Sequence, residues 1–382
     1  MQKNRCFGAL YAFELKKILK NKVAIVTFLF FFFYAFLQGE FEVSGNYPPS
    51  RLAETEALNG RALDADLLEE CLAVVDETGR VTDEETNGRY MDLASLVREV
   101  IGYGTDYQHV TIDDFYGRRM EIVEEIYEDS CLTEGEIRYW KEKETQIEKP
   151  FIYHDTMVSS GILEGTTNYA IMLLLILSVG LAGCFAQESQ RRTDPMIRAS
   201  INGGKELYFA KVLAGMTYVF GCTVILLGTF FTYLSLKWGL RGIHTMVQNY
   251  YPESQMPLTI GQETVILLIL LILGMLLMSA FALFVSNVSR NALATMAIVL
   301  GVYMGMFALS TAVPISMRWL NQALCLLPST LISSRMVLEY RLIHLGRYFL
   351  CYEIAPILYL LMTAFFIAAG YALYKRHEIR SN

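Results

Sequence analysis

The sequence predicts an all-α polytopic membrane protein. It has six transmembrane helices, an N-terminal interfacial elbow helix, and a mostly helical extracellular domain between spans 1 and 2. Three observations predict this. Hydrophobic residues make up 53% of the 382 and fall in blocks too long for the helices of a soluble core. Six such blocks, about 23–38, 169–187, 208–235, 259–285, 292–313 and 355–374, carry almost no charge, as crossing an apolar layer of about 30 Å requires. Acids are segregated: 30 of the 39 lie in residues 40–164. A single soluble domain and intrinsic disorder are both excluded.

Residues 1–22 read as a cytoplasmic N-terminus. Phe7, Leu10, Tyr11, Leu15, Ile18 and Leu19 share one helical face, with Lys16, Lys17 and Lys20 on or near the other. That pattern describes an amphipathic helix lying at the inner membrane surface among lipid head groups. Glu14 falls among the apolar residues. It either snorkels to the interface or pairs with a base of the next cytoplasmic loop. Span 1, residues 23–39, is short and Phe-rich. A long basic lead and the lack of a small-x-small site favour a retained span over a signal peptide.

Residues 40–165 carry three short apolar stripes: Leu67, Leu68, Cys71, Val74 and Val75; Met91, Leu93, Leu96, Val97 and Val100; and Ile122, Val123, Ile126 and Tyr127. Thr82-x-x-Glu85 and Thr133-x-x-Glu136 have the form of capping boxes that open helices. Cys71 and Cys131 are read as buried free thiols, a disulfide being the alternative if the region faces an oxidising space. Spans 2–6 occupy 166–382. Within them, 188–207 is a polar, basic connection broken by Asp194-Pro195 and Asn202-Gly203-Gly204, with a short helix expected at about 196–201. Residues 236–258 form a short outer loop, and 314–354 an outer re-entrant or surface helical hairpin that does not cross.

Lysine and arginine set the orientation. The N-terminus, the 188–207 connection through Lys211, Arg290 and the C-terminal tail hold fifteen, against six in the short connections opposite. Both termini are therefore placed in the cytoplasm and 40–165 outside the cell membrane.

Chemical motifs are sparse. Gly203-Gly204-Lys205-Glu206 lacks the upstream glycine, the following hydroxyl and the strand of a phosphate-cradling loop. Glu84-Glu85-x-x-x-Arg89 fits the EExxxR string of intramembrane proteases but sits in a polar region without partner histidines. The five histidines form no HExxH and the seven cysteines no CxxC, so neither a metal nor a catalytic site is expected, and no nucleic-acid partner. Lys211 and Glu263 are assigned to span ends, in contact with the interface. With no carboxylates expected near the midplane, the driving energy is expected from outside the membrane.

The connection after span 2 reads Phe185-Ala-Gln-Glu188-Ser-Gln-Arg191-Arg192-Thr193-Asp194-Pro195, then Gly203-Gly204-Lys205-Glu206-Leu-Tyr-Phe-Ala210-Lys211. It resembles the first cytoplasmic loop of ABC-2 type permeases, the membrane subunits of bacterial ABC exporters. Phe185, Glu188, Thr193, Asp194, Gly204, Lys205, Ala210 and Lys211 match the family pattern, while Arg192 stands where a glycine usually precedes the threonine. Phe13 to Lys20 looks like the family's elbow helix, and the order of elbow helix, span, large outer domain and five further spans occurs among its Firmicutes-like members. The resemblance implies a permease dimer, homo- or heteromeric, coupled to a separate ATPase subunit that binds ATP and Mg; no cofactor is expected in this chain. A short helix near 194–203 would lie in a cleft of that ATPase. Arg191, Arg192 and Arg198 would meet its acids, and Glu188 would pair with Lys205 or Lys211. Gly274, Ser279 and Gly301-x-x-x-Gly305 would allow close helix packing. The alternative from another class is a sensor or immunity membrane protein that binds a ligand through 40–165 without transporting it. A lipid-modifying enzyme lacks any cluster of Asp, Glu and His at span ends.

Overall fold

The computed structural model describes residues 2–44, 53–76, 79–82, 88–102, 106–193, 196–197 and 203–380. Six of its helices are long and apolar enough to cross a membrane: Lys22–Phe41, Met157–Gln190, Lys205–Lys237, Ile260–Ser289, Ala292–Ala312 and Cys351–Arg376. The chain is thus a multi-pass, largely helical membrane protein.

Helix α1 (Gln2–Leu19) is followed, after a one-turn break, by α2 (Lys22–Ser44), the first span. Asn21 caps that span through its side chain, which accepts from the Val23 N–H at 3.1 Å. Helix α1 packs along the third span, and its Ile18 joins the same core as spans 2, 3 and 4. The fourth span lies at the centre, between the second and the sixth.

The region after span 1 builds its own core from Leu63, Leu67, Leu93, Val97, Phe115 and Phe151. Its helices are α3 (Ala65–Leu72), α4 (Met91–Ile101), α5 (Ile112–Asp129) and α6 (Glu134–Glu144). The box at Thr133 forms with Glu136, and Thr111 with Asp114 adds one that sequence reading passed over. The second expected box reaches residues 83–87, outside the described residues. Thr82 itself lies in a turn, its N–H bonded to the Val74 carbonyl, and the next helix starts at Met91. The first apolar stripe is also shorter than expected. Helix α3 ends at Leu72, and Val75 pairs instead with Val81 as an isolated β-bridge. Cys71 is free and buried, but Cys131 is free and exposed, since it takes φ 49° in the tight turn between α5 and α6.

The third stripe turns away from this core. Val123 and Tyr127 belong to the core of the spans. Besides this apolar contact, polar anchors tie the region to 236–258 and 314–354. Arg119, 0% exposed, holds both Glu144 oxygens (2.6 and 3.1 Å) and donates to the Pro252 and Ser254 carbonyls. Trp140 Nε1 donates to the Tyr340 carbonyl at 2.7 Å, and Arg318 pairs with Glu136. The described part of the region between spans 1 and 2 therefore seats on 236–258 and 314–354.

The second span begins at Met157 rather than near 169, as α7 (Met157–Leu181) and α8 (Gly183–Gln190), so the outer region ends at about 156 instead of 165. Its early part was missed because Ser159, Ser160, Glu164, Thr166 and Thr167 dilute the hydropathy. The hydroxyls of Ser159, Ser160, Thr166 and Thr167 are satisfied by carbonyls three or four residues back in the helix. The remaining spans are α9 (Lys205–Lys237), α10 (Ile260–Ser289), α11 (Ala292–Ala312) and α14 (Cys351–Arg380).

Residues 314–354 are only half the expected helical hairpin. Helices α12 (Arg318–Cys325) and α13 (Pro328–Leu331) form, but an antiparallel pair, β1 (Ile343–His344) and β2 (Tyr348–Phe349), follows. The segment reaches inward between spans. A Cβ on Gly274, midway along the 30-residue α10, would stand 2.8 Å from Ile332 Cδ1 and 3.3 Å from Pro328 Cβ. Gly274→Val is expected to cost about 1–3 kcal/mol through overpacking. A lowered Tm in detergent checks this; an unchanged Tm would mean the segment does not sit there. Gly301 and Gly305, by contrast, have nothing within 4 Å and lie exposed on span 5, so only Gly274 and the buried Ser279 serve packing inside the chain.

Candidate functional site

The end of span 2, the start of span 3 and helix α1 meet in a buried cluster of two acids and two bases. Lys211, on the first turns of α9, is 1% exposed. Its Nζ lies 2.5 Å from Glu188 Oε1, 2.9 Å from the Cys184 carbonyl and 3.5 Å from Glu14 Oε2, with the Phe185 ring centroid at 5.3 Å. Lys17 completes the set, 2.7 Å from Glu188 Oε1 and 3.4 Å from Glu14 Oε2. Glu14 and Glu188 are also buried. Taking Glu14, Glu188 and Lys211 out of water costs several kcal/mol each, with Lys17 left partly exposed, and the opposite charges offset this only where geometry is good and the remaining donors are satisfied. Burial works against the Lys17 charge, but Glu188 and Glu14 outweigh it and hold that ammonium above the ordinary lysine range.

Two expectations are settled here. Glu14 does not snorkel; it joins the cluster. Of the two partners considered for Glu188, Lys211 is the one bonded. Lys205 is exposed, its Nζ 6.0 Å from the Phe209 ring centroid. Lys211 does lie near the end of its span, but its placement at the interface fails, since it is buried. Helix α1 covers the end of span 3 and removes Lys211 from any interface. Lys16 on α1 and Lys20 in the turn after it remain exposed.

Beyond Glu188 the helix ends in a tight turn. Arg192 takes φ 57°, the left-handed region, and the Thr193 N–H reaches back to the Glu188 carbonyl at 3.0 Å. This explains why a glycine would suit position 192: an arginine there bears a cost of about 1 kcal/mol. Arg191 and Arg192 are exposed, and Met196 and Ile197 are helical. Asp194, Arg198 and the rest of the expected short helix lie outside the described residues. Gly204 precedes the first helical residue of span 3, and the neighbouring Gly203 carbonyl accepts from Tyr374 of span 6 at 2.7 Å. Sequence reading also missed Ser286. This span 4 hydroxyl donates to the Ala182 carbonyl and accepts the Phe185 and Ala186 N–H groups, bridging the break between α7 and α8. A serine inside an apolar block was the available signal.

At the opposite end two carboxylates enter the spans. Glu164 lies within α7, and Glu263, in the first turn of α10, is 0% exposed rather than at an interface. The interface placement of Glu263 is therefore corrected, and Glu164 was passed over because the second span was started too late. Among the described residues no three His, Cys, Asp or Glu gather as a metal site would need.

The outer anchors titrate. Burial opposes the Glu144 charge, but Arg119 and Lys149 hold its carboxyl below the usual range. Burial likewise opposes Glu136, and the Thr133 and Leu342 N–H groups with Arg318 lower it. Carboxyls depressed in the folded state give stability that is present above the unfolded value, about 4.3, and lost as pH falls through the folded value. Proteolysis of the outer region in detergent is expected to rise below about pH 4, before the spans lose helicity. Equal cleavage at pH 7 and pH 3 would contradict this.

Comparison with known protein families, curated proteins and solved structures found no match.

Proposed function

We propose that this chain is the permease subunit of an ATP-driven exporter. It forms the path across the cell membrane with both termini in the cytoplasm, pairs with a second permease, and couples to a separate ATPase that binds ATP and Mg. The observation that carries this reading is the Glu14–Lys17–Glu188–Lys211 cluster. It ties helix α1 and the facing ends of spans 2 and 3 into one block at the base of the basic 188–207 connection, in which Arg191 and Arg192 are exposed. A force applied to that connection is passed to two spans together, because a buried ion cluster does not yield gradually. In this reading the exposed Arg191 and Arg192 would meet acids of the ATPase. The gathering of bases at this end supports the cytoplasmic assignment.

Affinity purification of the full chain from its native membrane tests the proposal. An ATP-hydrolysing subunit is expected to co-purify with the wild type and to be lost from Arg191→Glu/Arg192→Glu. Purification of a folded chain with no ATPase would reject it. The competing sensor or immunity reading is favoured by one feature, the firm seating of the outer domain through Arg119 and Trp140, which would pass a ligand's effect to the spans.

A further inference from the structure

A cavity of about 280 Å³ lies between helix α1, the start of span 1 and span 3. Its walls include Leu15, Ile18 and Leu19 of α1, Phe28 of span 1 and Ile225 of span 3, and no charged residue lines it. The chain leaves it open at Gly221, where an added Cβ would meet no atom within 4 Å. Leu19, Ile25, Leu29 and Ile225 in its walls are exposed, so it opens on the outside of the spans.

Charge at its mouth is a second, independent observation. Lys16, Lys20 and Lys22 each stand within two residues of a lining residue, around the break between α1 and span 1. All three are exposed, and none makes a side-chain hydrogen bond or ion pair with a described residue. The acids close by are already taken, because Glu14 and Glu188 pair with Lys17 and Lys211. An apolar cavity offers water too few partners to hold it, whereas hydrocarbon entering from the bilayer loses nothing. Lysines gathered at the interface beside it attract a negative head group.

We infer that one anionic phospholipid binds here, with part of an acyl chain in the cavity and its phosphate among Lys16, Lys20 and Lys22. Apolar stems and charged tips suit these lysines to a boundary between hydrocarbon and head groups. The inference goes beyond the proposed function and does not depend on it, because the lipid is read on the purified chain with no ATPase present.

Native mass spectrometry of the full chain in neutral detergent, titrated with dioleoyl phosphatidylglycerol or dioleoyl phosphatidylcholine, tests the site. One phosphatidylglycerol per chain is expected to be retained, about tenfold or more tightly than phosphatidylcholine. Gly221→Phe fills the cavity from a position with open space at its Cβ, and is expected to lose that lipid. Gly301→Phe makes the same change at an equally open, exposed position on span 5 and is expected to keep it. Lys16→Gln/Lys20→Gln/Lys22→Gln alters exposed side chains alone and is expected to abolish the preference for phosphatidylglycerol; it carries the test if Gly221→Phe does not fold. Equal retention of the two lipids by the wild type, equal retention of phosphatidylglycerol by Gly221→Phe and Gly301→Phe, or an unchanged preference in the lysine variant would overturn the site in favour of unspecific lipid around the spans.

Discussion

Lys211→Met is expected to destabilise the detergent-solubilised chain by about 3–5 kcal/mol, read as a fall in unfolding midpoint by circular dichroism or intrinsic fluorescence. The loss arises from what remains. Glu188 and Glu14 stay buried with Lys17 alone, and the Cys184 carbonyl loses its donor. Lys205→Met, six residues earlier on the same helix, is expected to change stability by less than about 0.5 kcal/mol, because that ammonium is solvated. The double variant Glu188→Met/Lys211→Met separates charge from packing. It leaves Glu14 and Lys17 as a neutral pair 3.4 Å apart, so most of the stability lost in Lys211→Met is expected to return. If the double variant is as unstable as the two single losses added together, the residues are not coupled and the cluster is not a unit.

Arg119→Met is expected to release the outer domain while leaving the spans folded. Its guanidinium joins α5 to Glu144 and to two carbonyls of the loop before span 4. Truncating it leaves Glu144, held below the usual carboxylate range, with Lys149 as its remaining ion pair. A cost of about 3–5 kcal/mol falls on the contact between domain and spans. Faster limited proteolysis within 53–156, with unchanged protection of the helices from Lys205 to Ser289, checks it. Uniform exposure of the whole chain would show instead that Arg119 supports global folding. Surface pairs such as Arg118 with Glu121 and Glu125 bind with similar distances in solvent, and their removal is expected to matter far less.

The course of the spans was legible because a bilayer imposes length and apolarity together. Five of the six blocks were found nearly whole. The exception is instructive. Span 2 starts at Met157, where hydroxyls bonded back to their own helix lower the hydropathy without breaking the backbone. That error hid Glu164, and with it the carboxylate pair at the outer end. Of this cluster, Glu188 with Lys211 was one of two pairings that the resemblance implied, and a base of the next connection was one of two readings of Glu14. Adding Glu14 and Lys17 required knowing that α1 lies against span 3, a contact between residues about 200 apart in sequence. Periodicity identified the outer helices but not their direction. Val123 and Tyr127 made a stripe like the others, yet it faces the spans rather than the domain core. A β-hairpin of two-residue strands at 343–349 left no periodic signal at all.

The central claim, that the basic 188–207 connection docks on an ATPase, is tested most directly at Met196. Its side chain is 76% exposed on the helical part of that connection. A photo-crosslinking phenylalanine analogue placed there in the intact cell is expected to capture an ATP-hydrolysing protein from the cytoplasmic side, whereas the same analogue at Leu345, exposed at the opposite end, does not. Capture of no ATPase from position 196, or of the same proteins from both positions, would contradict the account.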